Sequence, residues 1–146
     1  MIGLEAVPKQ VTLLLVDDDD GDAKAVQRAF RKARIANPIL RAFDGLDALS
    51  ILRGGGVEPG LERPHVLLVD LNMPRMNGID LVRELRADRQ LSDSIVFMLT
   101  TSRSEEDKVA AYELNIAGYI IKATAGEDFM NLVRLLDCYW RIVELP

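Results

Sequence analysis

The stretch VLLVDLNMPRMNG, residues 66–78, decides the fold. Its first four residues are apolar without alternation, and they stop at Asp70 before a turn carrying Pro74 and Gly78. A short apolar run bounded by turn signals reads as a strand buried on both faces of a parallel sheet. The same cadence recurs along the chain. Residues 11–16 end at Asp17 and Asp18, residues 95–99 end at Thr100, and residues 119–121 end at Lys122. In an open parallel sheet the carboxyl ends of the strands face one crevice. Three carboxylates, a hydroxyl and an ammonium group, far apart in sequence, are therefore expected to meet there.

The intervening segments are amphipathic and complete a strand–helix alternation. Strands are predicted over 11–16, 39–43, 65–69, 95–99 and 118–121. Helices are predicted over about 22–34, 46–53 and 79–87, from just after Ser102 to near Asn115, and over about 127–143. Ala23, Val26, Phe30 and Ala33 share one face of the first helix. Glycines 54–56 stop the second and open the longest loop, 54–64. Ser102 stands three residues before Glu105, the spacing of a capping box. This alternation predicts an α/β sandwich with a parallel sheet. No repeat or linker divides the chain, so one domain is expected over 1–146, with its core over about 11–143 and a short tail over 1–10.

The chain has 146 residues, 49% hydrophobic and 28% charged, with a formal net charge of −5. That balance argues against a nucleic-acid binder, which carries a basic stripe. No apolar stretch is long enough to span a bilayer, and the start lacks the pattern of a secretory signal. Cys138 is the single cysteine, so no intrachain disulfide can form. These features suggest a cytoplasmic protein. His65 is the single histidine, placed at a strand start away from the crevice and expected to be solvated or capping. A Ser–His–Asp triad is therefore not expected.

Residues 17–20 are four consecutive aspartates. Crowded carboxylates raise each other's pKa, and a divalent cation relieves the repulsion. Oxygen ligands suit magnesium, with manganese able to substitute. Asp17 and Asp18 are assigned to the cation, and Asp19 and Asp20 to the N-terminus of the following helix. A calcium loop of the EF-hand type fails on spacing, because Gly21 at its sixth position would put Val16 at its first. Asp70 is the candidate nucleophile, a carboxylate able to take a phosphoryl group as an acyl phosphate. Lys122 offers a mobile charge, Thr100 a hydroxyl, and the backbone carbonyl of Asn72 a further cation ligand.

In these motifs, LLLVDDDDGDA, VLLVDLNMPRMNG, FMLTTS and GYIIK, the chain resembles the receiver domains of bacterial two-component response regulators. The resemblance covers almost the whole chain. It implies a flavodoxin-like doubly wound fold, five parallel strands in the order 2-1-3-4-5 with five helices. It makes Asp70 the phosphoacceptor, Asp17 and Asp18 the acidic pair for magnesium, Thr100 the switch hydroxyl, Lys122 the phosphate-contacting lysine and Tyr119 the switch aromatic. LTTSRSEEDKVAAYELNIAGYIIK and the ending YWRIVELP are closer still to single-domain regulators serving bacterial phytochrome kinases. The implied partner is a sensor histidine kinase of the bacteriophytochrome type. Such relatives form homodimers through the helix 4–strand 5–helix 5 face. The last helix fits this, since Leu135 and Ile142 widen its apolar stripe beyond what one sheet face needs; the alternative is a helix buried under the tail. Family members usually place Pro after the lysine, often with a cis peptide, where this chain has Ala123. A cis bond before a non-proline residue costs about 2.5–4 kcal/mol. The expectation is a trans peptide with Lys122 slightly shifted, or a cis peptide under strain.

The leading reading is a phosphorylation-controlled switch, not an enzyme beyond its own aspartyl phosphorylation and dephosphorylation. Two others compete. A phosphatase of the haloacid-dehalogenase type would use Asp18-x-Asp20-Gly21, but Asp22 stands where that motif has Thr, and Asp70 would have no role. A binding module that works by dimerisation alone would have no use for the acceptor residues.

Overall fold

The computed structural model describes residues 10–54 and 60–146. Most of the predicted tail, 1–9, and the middle of the long loop, 55–59, lie outside the described residues. Five strands, β1 (Thr12–Val16), β2 (Ile39–Ala42), β3 (His65–Val69), β4 (Ile95–Thr100) and β5 (Gly118–Ile121), alternate with five helices. These are α1 (Asp20–Lys32), α2 (Gly45–Arg53), α3 (Gly78–Ala87), α4 (Glu105–Glu113) and α5 (Met130–Ile142). The strands form one sheet in the order β2-β1-β3-β4-β5, all parallel, as expected.

Strand alternation splits the core into two layers. Leu13, Leu15, Val66, Leu68, Phe97 and Leu99 pack under α1 and α5. Leu14, Val16, Leu67, Val69, Val96 and Met98 pack under α2, α3 and α4. β3 is buried along its whole length, which is why its sequence reads as an unbroken apolar run. Fully burying one such leucine or valine contributes about 1.5–3 kcal/mol.

Register positions the site. Val16 pairs with Val69, so the next residues, Asp17 and Asp70, leave the sheet side by side. The backbone enforces this, with the Asp70 N–H donating to the Val16 carbonyl at 2.9 Å. Thr100 ends β4 opposite Ile121, and Lys122 follows at once.

Helix starts differ from expectation for local reasons. Asp19 accepts the Asp22 N–H, so α1 begins at Asp20 rather than Asp22. The cap of α4 is Ser104, which accepts the Asp107 N–H, and not Ser102, whose hydroxyl instead donates to the Asp107 carboxylate at 2.6 Å. α4 ends at Glu113 because Asn115 turns left-handed, with φ 59°. The last helix is broken at its start: Asp128 and Phe129 take φ of 53° and 61°, leaving a single 3-10 turn, Glu127–Phe129, before α5. Gly54 closes α2 in the left-handed conformation, as its position suggests.

His65 corrects the expectation of a solvated residue. It is 4% exposed, with Nδ1 3.2 Å from the Glu62 carbonyl and no hydrogen-bond partner for Nε2 among the described residues. It does lie at the end of β3 away from the crevice, as expected. On that same side of the molecule Arg86 of α3 gathers four carbonyls. Its guanidinium donates to Leu114 and Asn115 just beyond α4, and to Ser92 and Ser94 just before β4, at 2.7–3.1 Å.

Leu135 and Ile142 are exposed, at 46% and 80%, so the outer edge of the α5 stripe is uncovered among the described residues. Its inner edge is anchored by Trp140 stacked on Phe30 and by Tyr139 edge-on to Phe97.

Candidate functional site

Asp17, Asp18 and Asp70 each bring a carboxylate oxygen to within 4.8 Å of the other two. β1 delivers the first two and β3 the third, and the pairing of those strands makes the meeting unavoidable. Asp17 is 2% exposed, and its Oδ1 accepts the Asp19 N–H at 2.9 Å. Burial pushes the Asp17 carboxyl up to about 6, against the Asp19 hydrogen bond and Lys122, which pull it down, and with Asp70 and Asp22, which push it further up. The Asp70 carboxyl is raised too, by burial first, while Lys122 and the Asn72 N–H oppose the rise.

This is a donor set with more negative charge than its own side chains neutralise. A hard divalent cation fits it on two observations: oxygen-only ligands, and buried carboxylates whose ionised form is penalised without a counter-charge. Asp18, the exposed member, would face such an ion from the solvent side. Asn72, two residues past Asp70, is exposed, and its N–H bonds to the Asp70 carboxyl.

Lys122 enters from β5. Its ammonium lies 2.7 Å from Asp22 Oδ2, 3.5 Å from Asp70 Oδ2 and 3.7 Å from Asp17 Oδ2. Burial alone would lower its pKa, but the Asp22 hydrogen bond, with Asp17 and Asp70 behind it, raises it. The lysine therefore stays charged. The Lys122–Ala123 peptide is trans, one of the two alternatives the sequence left open.

Thr100 is fully buried at the end of β4, and its Oγ1 accepts the Ser102 N–H at 3.1 Å. No hydrogen bond joins it to Asp70 among the described residues. Tyr119 on β5 is half-buried against the α2–α4 layer, and its hydroxyl donates to the Ser102 carbonyl at 3.1 Å. Both residues thus converge on the same short segment between β4 and α4. Tyr119 is also tied to α4 directly, its N–H donating to the Tyr112 hydroxyl at 3.2 Å.

Of the four aspartates, Asp19 and Asp20 take the helix-start roles expected of them. Asp20 turns outward to Arg41 Nη1 at 2.5 Å. It is Asp18, and not Asp20, that joins Asp17 and Asp70 in the carboxylate cluster.

Two features escaped sequence reasoning. Asp22 is the nearest partner of Lys122 and stands in the first turn of α1, which starts at Asp20; placing the helix start at Asp22 itself hid that geometry. The second is a clamp on the turn after Asp70. Arg75 sits at φ 63° and donates through Nε to the buried Asp44 carboxylate at 2.6 Å. Desolvation raises the Asp44 pKa, but the Asp47 N–H and Arg75 outweigh it and hold it below the usual carboxylate range. Gly78 completes the turn. A Cβ there would stand 2.5 Å from the Asp70 carbonyl oxygen, so only glycine lets α3 start this close to β3.

Comparison with known proteins adds to this geometry. A family model described as the response regulator receiver domain matches residues 13–134. The chain is 32% identical over 143 residues to response regulator Rcp1 of Synechocystis sp., covering 97% of each. Among solved structures it is similar to the phosphorylated cyanobacterial phytochrome response regulator RcpA, with a TM-score of 0.84 at 27% identity, covering 94% of this chain and 99% of that one. The Mn(2+)-bound form of response regulator Rcp1 matches with a TM-score of 0.81 at 32% identity, covering 95% and 99%.

Proposed function

The chain belongs to the response regulator receiver domain family and is related to phytochrome response regulators, and from that premise we propose that it is a single-domain switch phosphorylated on Asp70. The observation that carries the reading is the meeting of Asp17, Asp18 and Asp70 beside a charged Lys122. The donor is a histidine kinase, of the phytochrome-linked type that the names of its relatives suggest. An Asp70 carboxylate oxygen attacks the phosphorus of a phosphohistidine. The new O–P bond forms as the N–P bond breaks, and the imidazole leaves neutral provided its second ring nitrogen is protonated.

Asp17, Asp18, Asp70 and the Asn72 carbonyl would hold magnesium, or manganese in its place. When bound, the ion shares the charge of the phosphoryl oxygens. Lys122 supplies a second positive charge to the same oxygens, and the rigid strand ends fix the approach. Thr100 turns from the Ser102 N–H toward the phosphoryl group. Tyr119, whose hydroxyl shares that segment, then moves inward, which alters the α4–β5–α5 face. The chain carries out no chemistry beyond its own phosphorylation and dephosphorylation, acts in the cytoplasm, and binds neither nucleic acid nor membrane. No helix among the described residues is long and apolar enough to cross a bilayer.

The same face is the homodimer seam. Val109 and Tyr112 on α4 and Leu135 and Ile142 on α5 leave large apolar side chains exposed on either side of the edge strand β5. Beryllofluoride or acetyl phosphate with magnesium should change the NMR spectrum of the wild type and leave Asp70→Asn unchanged. A Phos-tag gel after incubation with a phosphorylated phytochrome-type kinase tests the donor. Identical behaviour of wild type and Asp70→Asn in both assays overturns the reading.

A further inference from the structure

Lys122 has three carboxylates around it but is not shared equally. Asp17 and Asp70, at 3.7 and 3.5 Å, are members of the candidate cation set. Asp22, at 2.7 Å, is not. The closest anion to the lysine is therefore the one anion with no other assignment in the pocket. Asp22 sits in the first turn of α1, its own N–H held by Asp19 Oδ1, so its carboxylate projects from a fixed backbone. Lys122 sits on a four-carbon stem with three donors and can swing between partners. The ion pair is half-sheltered: the lysine side chain is 15% exposed and Asp22 31%.

We propose that Asp22 is a positioning residue that parks Lys122 on the α1 side of the pocket until a phosphoryl group on Asp70 draws it across. The inference rests on the receiver reading above and adds to it a resting partner for the lysine. Parking has two consequences. It keeps the ammonium from closing fully onto the Asp70 carboxylate, whose oxygen must stay free to attack. It also sets a threshold, because the Asp22–Lys122 contact must break before the lysine can serve the phosphoryl oxygens.

The test is a double-mutant cycle read by beryllofluoride affinity at saturating magnesium, using calorimetry on the full chain. Asp22→Asn should bind the phosphoryl mimic roughly threefold to tenfold more tightly, as expected when a partly screened ion pair no longer has to be broken. In a Lys122→Ala background the same substitution should have a clearly smaller effect. The metal-free 13C shift of the Lys122 ε-carbon should differ between wild type and Asp22→Asn, a signature that a purely structural role for Asp22 would not produce. Asp22→Glu, which keeps the charge, should restore the wild-type affinity in part.

Equal gains in both lysine backgrounds would mean simple repulsion between Asp22 and the anion, and would overturn the proposal. So would unchanged or weaker binding in Asp22→Asn, or an unmoved Lys122 signal. A wild type that fails to bind beryllofluoride would instead overturn the receiver reading itself, and this inference with it.

Discussion

Replacing Asp17 with Asn should make the protein more stable when metals are chelated, although it removes a ligand. The side chain is almost fully buried, and burial lifts its pKa from 3.8 to about 6. A carboxyl with a raised folded-state pKa binds its proton more tightly folded than unfolded, so stability falls as pH rises between the two values. Each tenfold change in proton affinity corresponds to about 1.4 kcal/mol, so the ionised carboxylate costs the folded chain about 3 kcal/mol above pH 6. Asn keeps an oxygen for the Asp19 N–H and brings no charge. In EDTA, urea unfolding of Asp17→Asn should show a gain of up to about 3 kcal/mol at neutral pH, shrinking on acidification and largely gone near pH 4. Saturating magnesium should reverse the order, because only the wild type retains the full ligand set. A variant no more stable than the wild type at neutral pH refutes the reasoning, as does a gain of the same size at both pH values.

Substitutions at three further positions probe the surroundings. Gly78→Ala should destabilise the chain by about 1–3 kcal/mol and weaken manganese binding, since its Cβ must displace the Asp70 backbone; tight binding with an unchanged melting temperature would refute this. Arg75→Ala should lower stability in urea by about 1–2 kcal/mol by leaving the buried Asp44 carboxylate without its cation. Arg75→Gly should lose less, because glycine accepts the left-handed φ of 63°; equal losses would remove strain from the account. Burial holds the His65 pKa below the ordinary 6.5, so its contribution is complete above pH 6.5 and is lost as pH falls toward the folded value. Relative to His65→Met, wild-type stability should therefore drop on acidification below pH 6.5, and parallel pH profiles would contradict it.

The strand ends were legible in the sequence because a doubly buried parallel strand needs an unbroken apolar run, and polar residues mark where it leaves the sheet. Strand pairing then gathered Asp17, Asp18, Asp70 and Lys122 with little left to tertiary detail. Helix boundaries were less legible. Ser102 and Ser104 both carry a capping hydroxyl, and only the path of the backbone decides that Ser104 caps while Ser102 bonds to Asp107. The left-handed turn at Asp128 and Phe129 breaks a segment whose apolar pattern runs straight through it. Asp22 was hidden for a related reason: its value depends on α1 starting two residues earlier than its apolar face suggests. His65 was misjudged because residue type favours the surface, whereas strand register encloses it. The Asp44–Arg75 clamp depends on a backbone angle that no sequence pattern announces for arginine.

α4 buries one residue, Ala111, in the core. Past its C-terminal end it is gripped by the Arg86 fork, while its N-terminal end hangs on hydroxyl bonds from Ser102 and Ser104, beside Thr100. On the switch reading proposed above, such a helix would act as a lever whose fulcrum lies at the guanidinium. A small pull at the threonine end would then swing the outer surface bearing Val109 and Tyr112 through a larger arc, with one buried side chain, Ala111, to displace.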